Sequence, residues 1–334
     1  MADFWTEEVI ADQKRDLPIL ATKENTAGGT YIVTGANSGL GLEAAKHYVA
    51  LGAAKVILAV RNLASGEKAK AEIEAATSTS GIAEVWHLDL ASYDSVKAFA
   101  SKATEELERI DAVIENAGVA LDRFVLAEGH ESSVTINVYS TFLLGILLLP
   151  KLKESAVKFG TLPHLVIVSS GGAVRAHPVF MSLKDDLFAK MDDEKNGMMG
   201  RYPLTKLIEI YAGRYLASLA PVERTGVVIN YLDPGLCYTN LTSNVDPKLA
   251  NVIESERNTY FGRTPEMGSR TLIAAAVQGK ESHGRLSGSC VIQDDRLPEY
   301  IKDNEGQAEQ KKIWEGIAAE LNRVVPGCVD KALA

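Results

Sequence analysis

The chain has 334 residues, of which 46% are hydrophobic and 24% are charged, and its formal net charge at pH 7 is -9. This composition is typical of a globular protein with a substantial core. The negative charge argues against nucleic acid or an anionic membrane surface as a partner, because both attract clusters of Lys and Arg.

The cysteines and the apolar runs indicate the cellular compartment in which the protein is expected. Cys237, Cys290 and Cys328 are far apart and lack the spacing of a disulfide framework or a zinc site. We therefore expect no metal and a reducing, cytoplasmic location. The first 20 residues contain no apolar signal-peptide segment. The longest apolar run, 142–149, is far shorter than the roughly 20 residues that span a bilayer, so no membrane contact is predicted.

Apolar, β-branched runs alternate with segments of helical periodicity along most of the chain, which predicts alternating strands and helices. Strands are predicted at 29–33, 55–60, 83–88, 110–115, 164–169, 227–232 and 288–292. Helices are predicted at 42–51, 64–76, 92–109, 130–152, 202–220, 268–278 and 305–325. This order indicates the α/β class, with a Rossmann-type doubly wound parallel sheet.

The domain prediction is an N-terminal extension at 1–28 followed by a single domain at 29–334. Two long connections, 171–201 and 237–265, follow the fifth and sixth strands, at the sheet edge where open α/β folds bind ligands. We expect both insertions to form a substrate lid, since long loops at such an edge are commonly functional.

The first insertion is rich in methionine and aromatic residues, which suit a bulky apolar substrate. Packing against a neighbouring subunit is the alternative interpretation. Its notable side chains are Arg175, His177, Phe180, Met181, Leu183, Leu187, Phe188, Met191, Met198 and Met199.

A glycine turn joins the first predicted strand to the first helix. Glycines let the backbone approach a pyrophosphate closely, and the N-terminus of the helix favours its negative charge. The alternative is a purely structural turn. The residues predicted to bind a dinucleotide here are Gly35, Asn37, Ser38, Gly39, Leu40 and Gly41.

Tyr202 and Lys206 are four residues apart on a predicted helix, so their side chains share a face. A tyrosine with its usual pKa near 10 is a poor base unless a positive charge stabilises the phenolate. Lys206 is suited to supply that charge, although many YxxxK pairs are only solvated helix faces.

Arg61 directly follows the second strand, at the position where NAD-preferring folds carry an acidic residue that binds the ribose 2′-OH. No Asp or Glu occurs at 56–65. An arginine there can pair with a 2′-phosphate, which favours NADP(H); a surface arginine without this role is the alternative.

Further motifs follow in order between residues 30 and 239, and together with the glycine turn and the YxxxK pair they resemble the short-chain dehydrogenase/reductase family. The long gap between Ser170 and Tyr202 resembles the retinol-dehydrogenase-like branch and its fungal relatives. Glu115 departs from the pattern, because many members carry asparagine there. The additional motif residues are Asp89, Leu90, Asn116, Ala117, Gly118, Asn137, Ser170, Pro234, Gly235 and Thr239.

The resemblance implies roles for these residues. Tyr202, Lys206, Ser170 and Asn137 would be catalytic: Tyr202 shuttles a proton, Ser170 orients the substrate oxygen, and Asn137 extends a relay toward Lys206. The Asp89-Leu90 pair would contact adenine. Asn116-Ala117-Gly118 and Lys206 would support the ribose, and Pro234, Gly235 and Thr239 would bind the nicotinamide end.

The implied activity is NADP(H)-dependent interconversion of a ketone and a secondary alcohol, on a medium-to-large apolar substrate of specialised metabolism. An epimerase, dehydratase or cyclase on the same fold is one alternative, and a non-catalytic NADP(H) sensor is another. A homodimer or homotetramer is expected, with the helix that contains 142–149 as its contact, although a buried core helix would show the same pattern.

Overall fold

A computed structural model describes residues 4–243 and 245–334; residues 1–3 of the predicted extension and residue 244 of the second insertion lie outside the described residues. The strands pair into an eight-stranded sheet of order β10-β9-β8-β7-β4-β1-β2-β3 and a small β5-β6 hairpin. Their bounds are β1 Thr30–Thr34, β2 Lys55–Val60, β3 Ala83–His87, β4 Ala112–Glu115, β5 Leu126–Ala127, β6 His130–Glu131, β7 His164–Val168, β8 Val228–Asp233, β9 Leu286–Gly288 and β10 Val291–Ile292.

The helices pack on both faces of the large sheet. Their bounds are α1 Glu7–Gln13, α2 Lys23–Thr26, α3 Gly39–Ala50, α4 Leu63–Thr77, α5 Tyr93–Glu106, α6 Ser132–Val134, α7 Thr141–Phe159, α8 His177–Leu183, α9 Leu187–Met191, α10 Arg201–Leu219, α11 Val222–Thr225, α12 Pro247–Thr259, α13 Pro265–Ala275, α14 Glu299–Lys302, α15 Asn304–Val324 and α16 Cys328–Leu333.

The Rossmann-type prediction is confirmed, because every neighbouring pair in the large sheet is parallel except β9-β10. β1 and β2 are buried almost throughout, as their continuous apolar sequences require between two helical layers. The strand order reverses between β1 and β4, and this switch point opens a cleft at the carboxyl ends of the strands.

Two segments differ from the predicted elements. The strand predicted at 288–292 is a hairpin, in which Ser289 and Cys290 take positive φ values of 47° and 65° and reverse the chain. The helix predicted at 130–152 begins after β6 and runs to Phe159, and it contains a π-helical turn, Thr135–Ser140. Apolar periodicity does not encode either feature.

The continuous helix Ser132–Phe159 is long and apolar enough to span a membrane by length and composition, with a hydropathy of 1.7. The sequence analysis overlooked this by considering only 142–149. Within the fold 89% of the apolar window is buried. Packing against the sheet, α15 and α16 therefore accounts for its composition.

Candidate active site

The glycine turn after β1 has the backbone that close approach to a phosphate needs. Gly35 and Gly39 have φ values of 67° and 58°, a region that side chains disfavour. A Cβ at Gly41 would lie 2.7 Å from Nδ2 of Asn116, so α3 and the end of β4 pack together only without it.

The start of α3 fits a dinucleotide phosphate. Ser38 is the N-cap, yet its hydroxyl makes no capping bond to the helix. The first N–H groups of a helix lack partners inside the helix and carry a partial positive charge. This turn is therefore suited to hold the pyrophosphate of a nicotinamide dinucleotide.

Thr34 ties the turn to the next wall of the cleft. Its hydroxyl accepts hydrogen bonds from the amides of Asn116 (3.0 Å) and Ala117 (2.8 Å). The Asn116 side chain donates to the Thr34 carbonyl at 2.8 Å. These bonds fix Asn116, Ala117 and Gly118 beside the glycine turn.

Tyr202 and Ser170 meet where α10 begins and β7 has just ended. The Ser170 hydroxyl accepts from the Gly172 amide at 3.1 Å, and its hydrogen bonding lowers the pKa of Tyr202. Burial has the larger, opposite effect, and the charges of Glu209 and Asp233 add to it. The protein groups together raise the pKa of Tyr202 above its usual value. A positive charge close to the phenol would shift this pKa in the opposite direction.

Lys206 is buried on the same face of α10 as Tyr202, with Nζ 5.7 Å from the centre of the tyrosine ring. The ammonium donates to the Val168 carbonyl and to Oε1 of Glu209, both at 2.8 Å. The Ser169 hydroxyl donates to the Lys206 carbonyl at 2.8 Å and thereby attaches α10 to β7.

Asn137 lies in the π-helical turn, a feature frequently found at functional sites. Its Oδ1 accepts from the Val119 amide at 2.9 Å, and its Nδ2 donates to the Val119 carbonyl at 2.9 Å and to Oγ1 of Thr205 at 3.0 Å. A Cβ at Gly118 would lie 3.2 Å from Oδ1 of Asn137 and 3.6 Å from Nζ of Lys206. Asn137 thus holds the backbone around Lys206 and makes no direct hydrogen bond to it.

Two buried glutamates lie near the site; the sequence analysis did not name Glu209, and it noted Glu115 only as a departure from the family pattern. Glu209 is 1% exposed and pairs with Lys206, while burial raises its pKa to about 7. Glu115 is 3% exposed, and neither of its carboxyl oxygens has a hydrogen-bond partner within residues 4–243 and 245–334. Burial, followed by the charge of Glu209, raises its pKa well above the usual range. The spacing of Glu209, three residues after Lys206 on a helix, could have revealed the first of them.

One cavity of about 720 Å³ brings most of the predicted residues together. Ser170, Tyr202 and Lys206 line it, and Arg61 lies exposed at its rim. Gly41 and Asn137 do not line the cavity; they contact residues that do, Asn116 and Val119 respectively. The other predicted residues that line it are Gly35, Asn37, Ser38, Gly39, Leu40, Asp89, Leu90, Asn116, Ala117, Gly118, Pro234, Gly235 and Thr239.

The first insertion contributes less to this cavity than predicted. Arg175 and Met198 line it, but His177 stacks on Tyr300 at 3.8 Å between ring centres. Met199 points outward and is 94% exposed. The remaining apolar side chains mostly join the core, because the insertion folds into short helices against α10 and the C-terminal helices. Those buried there are Phe180, Leu183, Leu187 and Met191.

The second insertion and the N-terminal segment supply the rest of the wall. From α12 come Leu249, Val252 and Ile253, and from the N-terminus come Phe4 and Trp5. The sequence analysis had assigned no role to the N-terminal extension. Cys237 also lines the cavity, but burial raises the pKa of its thiol to about 12, which makes it a poor nucleophile at neutral pH.

Comparisons with known proteins agree with this geometry. The family model for short chain dehydrogenases matches residues 30–182. The short chain dehydrogenase/reductase dmxR8 of Cryptosporiopsis sp. (strain 8999) is 40% identical over 310 residues, which cover 91% of this chain and 93% of the relative. The short-chain dehydrogenase anuD of Penicillium roqueforti (strain FM164) is 36% identical over 304 residues, covering 90% and 79%.

A solved structure shows the same fold. A short chain dehydrogenase of Shigella flexneri 2a, crystallised with NADP, superimposes with a TM-score of 0.60 at 22% identity, covering 80% of this chain and 99% of that one. The resemblance inferred from the motifs is thereby confirmed: the chain belongs to the short-chain dehydrogenase/reductase family, and its fungal members are among its relatives.

Proposed function

We propose that this oxidoreductase interconverts a ketone and a secondary alcohol with NADP(H). The observation that carries the proposal is the convergence of Ser170, Tyr202 and Lys206 in the cavity that the glycine turn also lines. The bound cofactor supplies the hydride and accepts it in the reverse direction.

The chain's own residues handle the proton and the substrate oxygen. In reduction, the Tyr202 hydroxyl donates its proton to the developing alkoxide, and the Ser170 hydroxyl donates a hydrogen bond to the same oxygen. Lys206 places a positive charge beside the tyrosine and would hold the ribose of the cofactor. Asn137 fixes the Val119 backbone and Thr205, which keeps the α10 face in register with β4.

The preference for NADP(H) rests on Arg61. This arginine is exposed at the end of β2, on the rim of the cavity, and within the described ranges it forms no ion pair. Its guanidinium is therefore available to a 2′-phosphate. The NADP of the Shigella structure adds little weight, because likeness at 22% identity concerns the fold alone.

The substrate we propose is medium-to-large and largely apolar. Leu249, Val252, Ile253 and Met198 supply apolar surface in the cavity that Tyr202 and the glycine turn also line. A cytoplasmic role in specialised metabolism fits the absence of structural disulfides among the buried cysteines and the motif pattern shared with tailoring reductases.

The test is NADPH oxidation with a panel of alkyl and aryl ketones, in wild type and Tyr202→Phe. We expect wild type to be active and the variant to lose at least about a hundredfold in rate while its NADPH dissociation constant stays unchanged, since only the proton donor is removed. Tyr215→Phe, on the same helix outside the cavity, is the matched control. A wild-type rate in Tyr202→Phe would disprove the role of the tyrosine, and a wild type inactive with every ketone of the panel would disprove the reaction.

A further inference from the structure

The N-terminal segment 4–13 crosses the substrate end of the cavity. Phe4, Trp5, Val9 and Gln13 all line it. A Cβ at Gly171, the residue that follows Ser170, would lie 3.4 Å from Cζ of Phe4. The Phe4 ring is therefore next to the reacting end of the site.

The base of this segment is firmly attached to the loop that follows β8. The Gln13 side chain donates to the carbonyls of Leu236 (2.8 Å) and Phe261 (3.1 Å), and it accepts from the Leu236 amide at 3.1 Å. Buried Arg263 donates to the carbonyls of Asp12 (2.8 Å) and Pro234 (2.9 Å). These contacts hold the segment in place, so that it forms a fixed wall of the cavity.

The tip of the segment joins both insertions. The Trp5 ring stacks on Tyr260 of the second insertion, with 4.2 Å between ring centres and 9° between planes. Phe4 packs edge-on against Trp5 at 5.1 Å, and the Arg175 guanidinium of the first insertion lies 4.5 Å from the centre of the Phe4 ring. Three separate stretches of sequence thus meet around Phe4 and Trp5.

The residues of 4–13 that line the cavity are uncharged, and Phe4 and Trp5 among them are aromatic. Arg175 pairs with Glu256 at 3.3 Å, so its charge is already compensated. On α12, Leu249 and Val252 leave 44% and 47% of their surface exposed while lining the same cavity. Large apolar side chains exposed in a cleft are typical of a ligand site, and an aromatic ring packs favourably against another ring.

We propose that Phe4 is a specificity-determining residue, and that the wall formed by 4–13 selects an uncharged ketone with an aromatic ring close to the carbonyl. This inference rests on the proposed function for the identity of the reacting group. It assigns the ring of the substrate to the Phe4 side of the cavity.

The test compares 2-tetralone with cyclohexanone, two uncharged cyclic ketones that differ by a fused benzene ring. We expect Phe4→Ala to raise KM for 2-tetralone about three- to tenfold with little change in kcat, the range that one aromatic contact gives. KM for cyclohexanone and the NADPH dissociation constant should stay the same. Phe4→Leu, which keeps apolar bulk without the ring, should fall between, and Phe159→Leu, at the far end of α7 and outside the cavity, should match wild type.

Calorimetric titration of 2-tetralone into the NADP-loaded protein separates this inference from the proposed reaction. If wild type turns over neither ketone, the reaction fails, but weaker 2-tetralone binding by Phe4→Ala than by wild type still supports the wall. Equal binding by the two proteins, or no binding by wild type, overturns the inference. An equal rise in KM for both ketones, or a loss confined to NADPH affinity, also overturns it, because Phe4 would then serve the fold or the cofactor.

Discussion

Glu115 and Glu209 are two buried carboxyl groups close enough for their charges to interact, and Glu209 pairs with the Lys206 ammonium. A buried carboxyl without a positive partner is stable only in its protonated form. At the position where many family members carry asparagine, burial therefore favours the protonated form of a carboxyl group.

Glu115 should make stability fall as pH rises. Its folded-state pKa lies above the usual value of 4.5. Its contribution to the free energy of unfolding is therefore complete below about pH 4.5, and it is lost as the pH rises toward the raised pKa. In that window the free energy of unfolding decreases by about 1.4 kcal/mol per pH unit for each retained proton. In urea unfolding from pH 5 to 8, the free energy of unfolding of Glu115→Gln should increase relative to that of wild type as the pH rises. Glu67→Gln, at an exposed site, is the control, and profiles for wild type and Glu115→Gln that stay parallel would contradict this prediction.

Arg61 should distinguish the two nicotinamide cofactors. A charge-assisted contact to a phosphate contributes about 1.5–3 kcal/mol, so Arg61→Ala should weaken NADPH binding by roughly ten- to over a hundredfold. NADH binding should hardly change. Titration of both cofactors into Arg61→Ala, with exposed Arg285→Ala as control, measures the difference. Equal losses for NADPH and NADH would instead show that Arg61 stacks on adenine or supports its loop.

At the scale of elements, the sequence was most informative where the pattern is local. The βα units from β1 to β8 follow from apolar runs and glycine turns, and the YxxxK pair lies at the start of α10 as its spacing predicts. Short 3-10 and α segments in 171–201 were not predictable, because their apolar residues pack against α10 and α15 rather than along a periodic face.

The packing of α15 on α7 depends on Trp314. This side chain is 3% exposed and meets the Phe142 ring edge-on at 6.0 Å. Trp314→Ala should lower the free energy of unfolding by about 3–5 kcal/mol, the cost of deleting a large buried side chain. The control is Glu315→Ala on the exposed face of the same helix, whose 3.8 Å pair with Lys311 is solvated and worth little. A loss in Trp314→Ala no larger than in the control would show that α15 is weakly attached.

For the whole molecule, the C-terminal helices alter the expectation of a dimer or tetramer. α15 packs along α10, and α16 packs along α7, so the chain itself covers faces of both long helices. Trp314, Ile317 and Leu321 bury the apolar stripe of α15 in this contact. The pattern at 142–149 reflects a core helix, which was the alternative left open by the sequence.

We therefore predict a monomer of 36.0 kDa. Sedimentation velocity at micromolar concentration should give one species near that mass, because these helix faces no longer offer the apolar area that a stable interface needs. A species of twice or four times the mass would show that another surface mediates association.

The parts of the site that depend on local motifs were predictable, and the contacts between distant parts of the chain were not. The motifs predicted cofactor and catalytic residues from local sequence signatures, and most of these residues line one cavity in the structure. The wall formed by 4–13 has none: Gln13 bonds to Leu236 and Phe261, more than 200 residues away, and nothing in its neighbourhood marks it as part of a cleft.

The hydrogen bonds between the N-terminal segment and residues 236–263 determine the order in which the parts of the chain assemble during synthesis. β1 to β4 and the glycine turn can form from the first third of the chain, whereas the Arg263 guanidinium that fastens Asp12 and Gln13 is made much later. On the ribosome, the first residues to emerge are thus among the last to find their native partners. A nascent chain truncated before residue 263 would contain the residues of the glycine turn and the YxxxK pair, and its substrate cleft would stay open on one side.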